Sequence, residues 1–371
     1  MRFLHVLAER GFSGGEVQLK HLVEYLHARG HENAFVLAPG AQFAAVATGI
    51  GAPITWVNLR RPLWPGTRWR LLAAVRDAGP DVLHFGCGRS LLWGGWWLRH
   101  CGVPLRITTR RIDYPIRKSW WHGGRYRALV DHTVANCKSV QRAVLASGVP
   151  SDRVSLVHEG IDTSAWDLLP DREGARERLG LSQDATVISC AATLRPRKGQ
   201  RLLIRAFCKV AAEFDNAFLV LAGEGPDRDT LGKAAHDSGF GARIFLPGAV
   251  RPVADLYAAS DLFCMTSFNE GLSNACLEAS AAGLPLVVSD VGGLPEIVEH
   301  GVTGAVVAPG DVDGLAEALI GYLGDSDQRY AMGCAGAQRV RRLFQHTKMS
   351  EKMEELFETL LASCDVRSNQ D

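Results

Sequence analysis

The chain has 371 residues, 47% hydrophobic and 22% charged, with 39 Gly and 16 Pro; that suffices for about two globular domains and excludes a stapled mini-protein, a fibrous chain or a disordered one. Nine Cys without a Cys-x-x-Cys pair argue against a disulfide framework and a zinc site, and for a reducing compartment. The net charge of +1 hides an asymmetry: residues 1–160 carry 21 Lys and Arg against 10 Asp and Glu, the remainder 20 against 30, and all nine Trp fall between positions 56 and 166.

The run Met1–Leu7 reads as a first strand and is too short for the apolar part of a secretion signal. A Ser13-Gly14-Gly15 turn leads into a helix over Glu16–Arg29, ended by Gly30, and a strand over Ala34–Ala38 completes a βαβ unit. Strands follow at Ile54–Val57, Val82–Phe85, Leu105–Thr108 and Thr133–Ala135, with helices near Trp69–Asp77 and Val140–Ala146. The apolar periodicity lapses over Gly160–Glu173, which marks a linker.

The rhythm then restarts with strands at Thr186–Ala191, Phe218–Ala222, Ile244–Leu246, Leu262–Met265 and Leu286–Val288. Between them lie helices at Gln200–Phe214, Asp227–Ser238, Val253–Ala259 and Ser273–Ala282. Helical patterns over Asp325–Phe344 and Met349–Leu361 close the chain. Alternation of this kind predicts an α/β protein with two Rossmann-like parallel-sheet domains, at 1–165 and 166–345. No apolar run reaches membrane-spanning length; Leu91–Leu98 is short and broken by glycine.

Three clusters carry chemistry. The segment Thr266–Glu278 follows a strand and places Glu270 and Glu278 eight residues apart across a strand-to-helix junction, at most about 12 Å by helix rise. Amides of Gly271, Leu272, Ser273, Asn274 and Ala275 would open that helix and favour an anion. The two carboxylates suit the two ends of a nucleotide sugar, and on spacing alone equally suit an acid at a helix start plus an ordinary helix glutamate. Arg195-Pro196-Arg197-Lys198-Gly199 directly follows the Thr186–Leu194 segment, at the start of the next helix, and provides two cations able to clamp a diphosphate; by itself it reads as a solvated basic turn. Ser13-Gly14-Gly15-Glu16 permits close approach of a ligand at a helix start but lacks the Gly-x-Gly-x-x-Gly spacing, which disfavours a nicotinamide cofactor.

Taken together with Gly223-Glu224-Gly225-Pro226, Gly160-Ile161-Asp162 and Gly292-Gly293-Leu294-Pro295-Glu296-Ile297-Val298, these segments resemble the family-4 retaining glycosyltransferases over nearly the whole chain. The resemblance implies a GT-B fold, with the two domains facing across a cleft, nucleotide sugar held by the second and acceptor by the first, and a final helix, about 346–371, packed back on the first. Arg195 and Lys198 then resemble the diphosphate clamp, Glu270 the carboxylate on donor-sugar hydroxyls and Glu278 the one on the ribose. Gly248, Ala249 and Val250 fall where such enzymes contact the base, and Gly14 and Gly15 match the loop that reaches the donor phosphate. No cofactor and no metal are implied. One departure stands out: many relatives have a His after the fourth strand, where this chain reads Thr108-Thr109-Arg110-Arg111-Ile112-Asp113-Tyr114. Arg110 and Arg111 are candidates for a phosphate or an anionic acceptor there, although Arg is no base at ordinary pH, and His84 is a second candidate.

Arg106–Arg127 holds seven basic residues, Lys118 among them, against Asp113 alone, interleaved with Tyr114, Trp120, Trp121 and Tyr126, and Arg60–Arg76 adds five more Arg with Trp64 and Trp69. That composition suits an anionic membrane surface or a phosphorylated glycolipid; no nucleic-acid motif accompanies it. The expectation is a cytoplasmic enzyme, peripheral on the inner face of the membrane, that transfers sugar to a glycan or lipid-linked acceptor of cell-surface polysaccharide or lipopolysaccharide type. The alternatives are a nucleotide-sugar epimerase or hydrolase on the same fold, and a catalytically idle donor-binding partner.

Overall fold

The computed structural model describes residues 1–59, 65–114, 116 and 123–368. Arg60, Trp64, Arg117, Lys118, Trp120 and Trp121, named above as part of a basic, Trp-rich face, lie outside the described residues. The chain divides into two units: Met1–Gly160 with the C-terminal helix His346–Ser368, and Ile161–Gln345.

Unit one is built on a seven-stranded parallel sheet in the order β3-β2-β1-β4-β5-β6-β7. Its strands are β1 (Arg2–Val6), β2 (Glu32–Leu37), β3 (Ile54–Trp56), β4 (Val82–Phe85), β5 (Leu105–Arg110), β6 (His132–Ala135) and β7 (Val154–Leu156). Buried on both faces, these strands read as short apolar runs. One face packs under helix Gly14–Ala28, whose Leu19, Leu22, Val23 and Leu26 recur at helical spacing. Met349, Met353 and Phe357 of the C-terminal helix join the same cluster. That helix is pinned by Glu354, which accepts from Tyr25 Oη (2.9 Å) and lies 2.7 Å from His31 Nε2. The other face packs under helix Pro65–Ala78 through Leu71, Ala74 and Val75, together with Leu91 and Leu98.

A file of polar side chains runs sideways through the middle of this sheet. Asn33, His5, His84 and Thr109 come from β2, β1, β4 and β5, with His5 Nε2 3.1 Å from Asn33 Oδ1, the two Nδ1 atoms 3.1 Å apart and His84 Nε2 3.0 Å from Thr109 Oγ1. Taking the asparagine oxygen as acceptor sets the direction: His5 donates to Asn33, His84 donates to His5, and Thr109 donates to His84. Both imidazoles are neutral, His5 being lowered to about 4 and His84 well below its usual value, mainly by burial. His132 in β6 is likewise lowered to about 4, by burial and then Arg153.

The unfolded chain therefore binds protons between about pH 6.5 and 4 that the folded one refuses. The stability that these histidines contribute to unit one is full above that window and is lost as pH falls through it. Urea unfolding followed by Trp fluorescence from pH 7.5 to 5.5 checks this, since every Trp but Trp166 belongs to unit one; a flat profile would contradict it.

Unit two holds a six-stranded parallel sheet in the order β10-β9-β8-β11-β12-β13. Its strands are β8 (Thr186–Ala191), β9 (Ala217–Ala222), β10 (Ile244–Gly248), β11 (Leu262–Met265), β12 (Leu286–Ser289) and β13 (Gly304–Val307). Helices Gln200–Glu213 and Val312–Leu323 cover one face, burying Leu203, Phe207, Leu315 and Leu319 against Ile188, Leu219 and Val287. β7, β13, Val312–Leu323 and helix Arg172–Leu179 were not expected from the sequence. The last opens inside the expected linker, its Asp171 carboxylate accepting from Gly174 N (2.9 Å).

Candidate functional site

In unit two the chain leaves β8 toward β9 and β10, then resumes on the other side of β8 with β11. At such a reversal the carboxyl ends of an open parallel sheet leave a crevice that no crossover fills. The segments that emerge around it are drawn together backbone to backbone: Leu194 N donates to Glu224 O (2.9 Å), Phe268 N to Arg197 O (2.8 Å) and Gly293 N to Gly271 O (2.9 Å). A Cβ on Gly199, Gly223 or Gly292 would stand 2.0, 1.9 or 2.1 Å from a carbonyl oxygen of Thr266, Ala192 or Glu270, so no other residue fits.

This clamp brings together Lys198 and Glu270, which are 72 residues apart. Lys198 Nζ donates to Glu270 Oε2 at 2.5 Å, with the side chains only 10% and 13% exposed. Ser267 Oγ donates to the same oxygen (3.0 Å), and Thr266 Oγ1 donates to the carbonyls of Lys198 and Gly199 (3.3 and 3.0 Å). Arg195 is exposed, and its guanidinium makes no hydrogen bond or ion pair among the described residues. An arriving anion can therefore draw Lys198 toward itself and free the Glu270 carboxylate for a hydroxyl.

Helix Asn274–Ala281 starts two residues later than Leu272, with Ser273 as cap, its Oγ accepting from Cys276 N at 3.4 Å. Gly271, Leu272 and Ser273 are buried loop leading into the helix start, the end of a helix whose dipole favours an anion. Glu278 lies on this helix and accepts from Tyr257 Oη at 3.1 Å. Burial pushes the Glu278 carboxyl up to about 7, with the Tyr257 hydrogen bond pulling the other way. Tyr257 is 1% exposed and held edge-on by Trp166 and Phe263. Gly248 ends β10 at φ +86°, where a Cβ would stand 2.5 Å from Glu224 Oε1; Ala249 beyond it is exposed and Val250 half-buried.

In unit one the strand order reverses between β1 and β4. Ser13 caps the helix there, donating from its amide (2.9 Å) and hydroxyl (2.6 Å) to Glu16. Gly14 opens the helix exposed; a Cβ on Gly15 would stand 3.4 Å from Arg111 Cδ. Neither arginine proposed for an anion is a free cation. Arg111 is ion-paired with Glu159 and donates to Gly86 O (3.1 Å), while Asn136 Nδ2 donates to the other Glu159 oxygen (2.9 Å). Arg110 donates to Tyr126 Oη (2.8 Å) and Tyr114 O (2.7 Å). Arg106 is likewise spent on Asp131 (2.7 Å) and Arg127 on Ser147 O (2.8 Å).

The expectation for His84 is corrected. It is 0% exposed inside the sheet, where β1 and β5 cover it, and a neutral imidazole bonded on both nitrogens cannot meet a ligand. Among the described residues no group of three or more His, Cys, Asp or Glu is placed to hold a metal ion. The Asp-x-Asp triplets at Asp227, Asp311 and Asp325 open helices instead.

Residues 12–165 match the model of Glycosyltransferase Family 4, and residues 171–339 that of Glycosyl transferases group 1. The chain belongs to glycosyltransferase family 4. Its fold is GT-B: the Anabaena HepE structure in complex with UDP superposes with a TM-score of 0.84 over 97% of this chain and all of that one, at 20% identity. The chain is 35% identical over 214 residues to the GDP-mannose-dependent alpha-(1-6)-phosphatidylinositol monomannoside mannosyltransferase of Mycobacterium tuberculosis, covering 55% of each. It is 29% identical over 212 residues to the N-acetyl-alpha-D-glucosaminyl L-malate synthase of Bacillus anthracis, covering 57% of this chain and 55% of the other. The chain thus spans about half the length of the curated relatives it matches.

Within this family-4 frame, the sequence reading missed Tyr257, Ser267, Thr266 and Glu159. Glu159 had a signal, standing directly before Gly160-Ile161-Asp162. Thr266 and Ser267 open the segment quoted from the sequence but, as common hydroxyl residues, carried no role there: Ser267 bonds Glu270 within its own loop, and the partners of Thr266 and Tyr257 lie on another loop and another helix.

Proposed function

We propose that the chain is a retaining glycosyltransferase that moves a sugar from a nucleoside-diphosphate sugar, bound by unit two, to a glycan or lipid-linked acceptor of cell-surface polysaccharide or lipopolysaccharide type, bound by unit one. The observation that carries the reading is Lys198 against Glu270 at the strand reversal of unit two, with Glu278 on the helix that starts there. Support also comes from the Mycobacterium tuberculosis relative, a GDP-mannose-dependent mannosyltransferase, and from the Anabaena structure, which is a complex with UDP.

Arg195 and Lys198 take the diphosphate and stabilise the charge that grows on it as the anomeric bond breaks. Glu270, released from Lys198, receives donor-sugar hydroxyls, and Glu278 receives the ribose. Glu270 is committed to these contacts and His84 is sealed in the core, so neither a covalent nucleophile nor a histidine base enters. The acceptor oxygen attacks on the face the phosphate leaves, and a phosphate oxygen takes its proton. Positive charge at the leaving group is supplied by the two side chains, without a metal in the scheme. Among the described residues no helix is long and apolar enough to cross a membrane; the reading adds a cytoplasmic protein that leans on an anionic membrane surface through the basic first part of its chain.

A thermal-shift series with UDP, GDP, ADP and CMP tests the donor assignment, because a ligand that binds only the folded state raises its melting temperature. One diphosphate should shift the protein, and Glu278→Ala should abolish the shift; no shift with any nucleotide at millimolar concentration overturns the donor site.

Tyr257 acts here as a positioning residue for Glu278. The carboxylate form accepts ribose hydroxyls, so nucleotide affinity should weaken as pH falls through about 7, where burial has placed this group. Tyr257→Phe removes the hydrogen bond that favours the charged form, which raises the carboxyl further and moves the acidic limb of the affinity profile to higher pH. Affinity measured from pH 5.5 to 8.5 checks this; a uniform loss with no movement of the limb would reduce Tyr257 to packing.

A further inference from the structure

In unit two, Gly223-Glu224-Gly225-Pro226 leaves β9 beside the loop that carries Arg195, with Leu194 N donating to Glu224 O (2.9 Å) and Asp227 N to Leu194 O (3.2 Å). From there the Glu224 side chain reaches across to the carboxyl end of β10. Its Oε1 lies 2.5 Å from where a Cβ on Gly248 would stand, so the carboxylate fills the side-chain place that the glycine leaves empty. The side chain is 64% exposed, and its ion-pair partner among the described residues is Arg228, with Nη1 3.9 Å from Oε1 and so beyond hydrogen-bond reach. Arg228 is itself anchored, its Nη2 donating to Leu246 O (2.7 Å), while its Nη1 is enclosed and makes no hydrogen bond among the described residues. A carboxylate is thus held beside the crevice with neither oxygen spent on a hydrogen bond among the described residues.

We infer that Glu224 reads the base of the donor nucleotide and selects guanine, which makes the donor a GDP-sugar. A carboxylate accepts twice side by side, and among the common bases only guanine has two adjacent donors on its Watson–Crick edge, N1–H and N2–H. Uracil sets its N3–H between two carbonyls, and adenine and cytosine set an amino group beside a ring nitrogen that accepts. Each of these three brings a lone pair against the second carboxylate oxygen and leaves it without a donor. A vicinal diol also offers two donors, but in the proposed mechanism the ribose goes to Glu278 and the donor-sugar hydroxyls to Glu270. The position agrees. β10 lies two strand spacings from β8, about 10 Å, so a nucleotide with its phosphates at Arg195 and Lys198, after β8, extends its base toward Gly248 and Glu224. The inference rests on the proposed donor site and names the substrate class of that site.

The test is isothermal titration of the full chain with GDP, UDP, ADP and inosine diphosphate, which is GDP without the 2-amino group. GDP should bind at least about tenfold more tightly than UDP or ADP, and inosine diphosphate about tenfold more weakly than GDP, the effect of one hydrogen bond to a charged group. Glu224→Gln exchanges one acceptor for a donor. It should weaken GDP about tenfold, remove the difference between GDP and inosine diphosphate, and strengthen UDP or ADP, whose edges set a donor beside an acceptor. One affinity falls while another rises, which neither misfolding nor a merely structural role can imitate. UDP or ADP bound by the wild type as tightly as GDP, inosine diphosphate bound as tightly as GDP, or a GDP preference that survives in Glu224→Gln would each overturn guanine reading by Glu224. Binding of none of the four nucleotides would instead overturn the donor site as a whole, so the two failures are told apart.

Discussion

Lys198→Ala should lower kcat by about 10²–10³-fold, the usual cost of deleting one group that stabilises charge arising only in the transition state. The side chain is preset: it lies against Glu270, nearly closed off from water, and needs only to exchange one anion for another. Removing it also leaves the Glu270 carboxylate with Ser267 as its remaining side-chain partner among the described residues, so some stability is lost as well. Stability and activity can be separated by the double replacement Lys198→Met with Glu270→Gln. Taking out both charges should restore much of the melting temperature lost in either single variant while turnover stays down, because pairing energy is shared between the two groups and phosphate stabilisation is not. Wild-type turnover in Lys198→Ala would remove the clamp from the mechanism.

Gly199→Ala should be among the damaging single-methyl changes in unit two, and one that strikes the Lys198 and Glu270 loops directly. The residue has φ +69°, and its new Cβ would meet the Thr266 carbonyl at 2.0 Å, a backbone atom that cannot swing aside. The two loops must part, at a cost of about 2–4 kcal/mol, and they are the ones that carry Lys198 and Glu270. Loss of the nucleotide-induced thermal shift should accompany the lower melting temperature. Gly232→Ala is the control, since that glycine lies within helix Arg228–Asp237 with nothing inside 4 Å of the added carbon. It should gain about 0.4–1 kcal/mol by restricting the unfolded chain. A Gly199→Ala protein as stable as this control would mean that the loops are looser than drawn.

The strands and most helices were legible because a buried parallel strand is a short apolar run and a covering helix has apolar spacing of three and four. β7 escaped because Ser155 breaks its apolar run, and β13 because it begins on a glycine. Helix Arg172–Leu179 escaped because its surface is highly charged, so the segment read as linker. Within the site, the loops were legible and their pairing was not. That Lys198 meets Glu270 follows from β11 returning beside β8, a fact of topology that no local spacing contains. His84 shows the converse. A lone histidine at a strand end looks like a ligand residue in sequence, and only its neighbours His5 and Thr109 on adjacent strands reveal that its hydrogen bonds are already spoken for.

The chain path has a consequence for synthesis. Unit two is a single stretch, whereas unit one is assembled from the two stretches that flank it. As the chain emerges, Ile161–Gln345 can complete its core while Phe3, Phe35 and Leu26 still wait for Met349, Met353 and Phe357. The first-made sheet is therefore the last to be sealed, and a fragment ending at Gly160 would expose the apolar strip that the final helix covers. A separable version of unit one has to carry residues 346–368 on a linker of its own, and folding in the cell must protect that strip until residues 346–368 have been made.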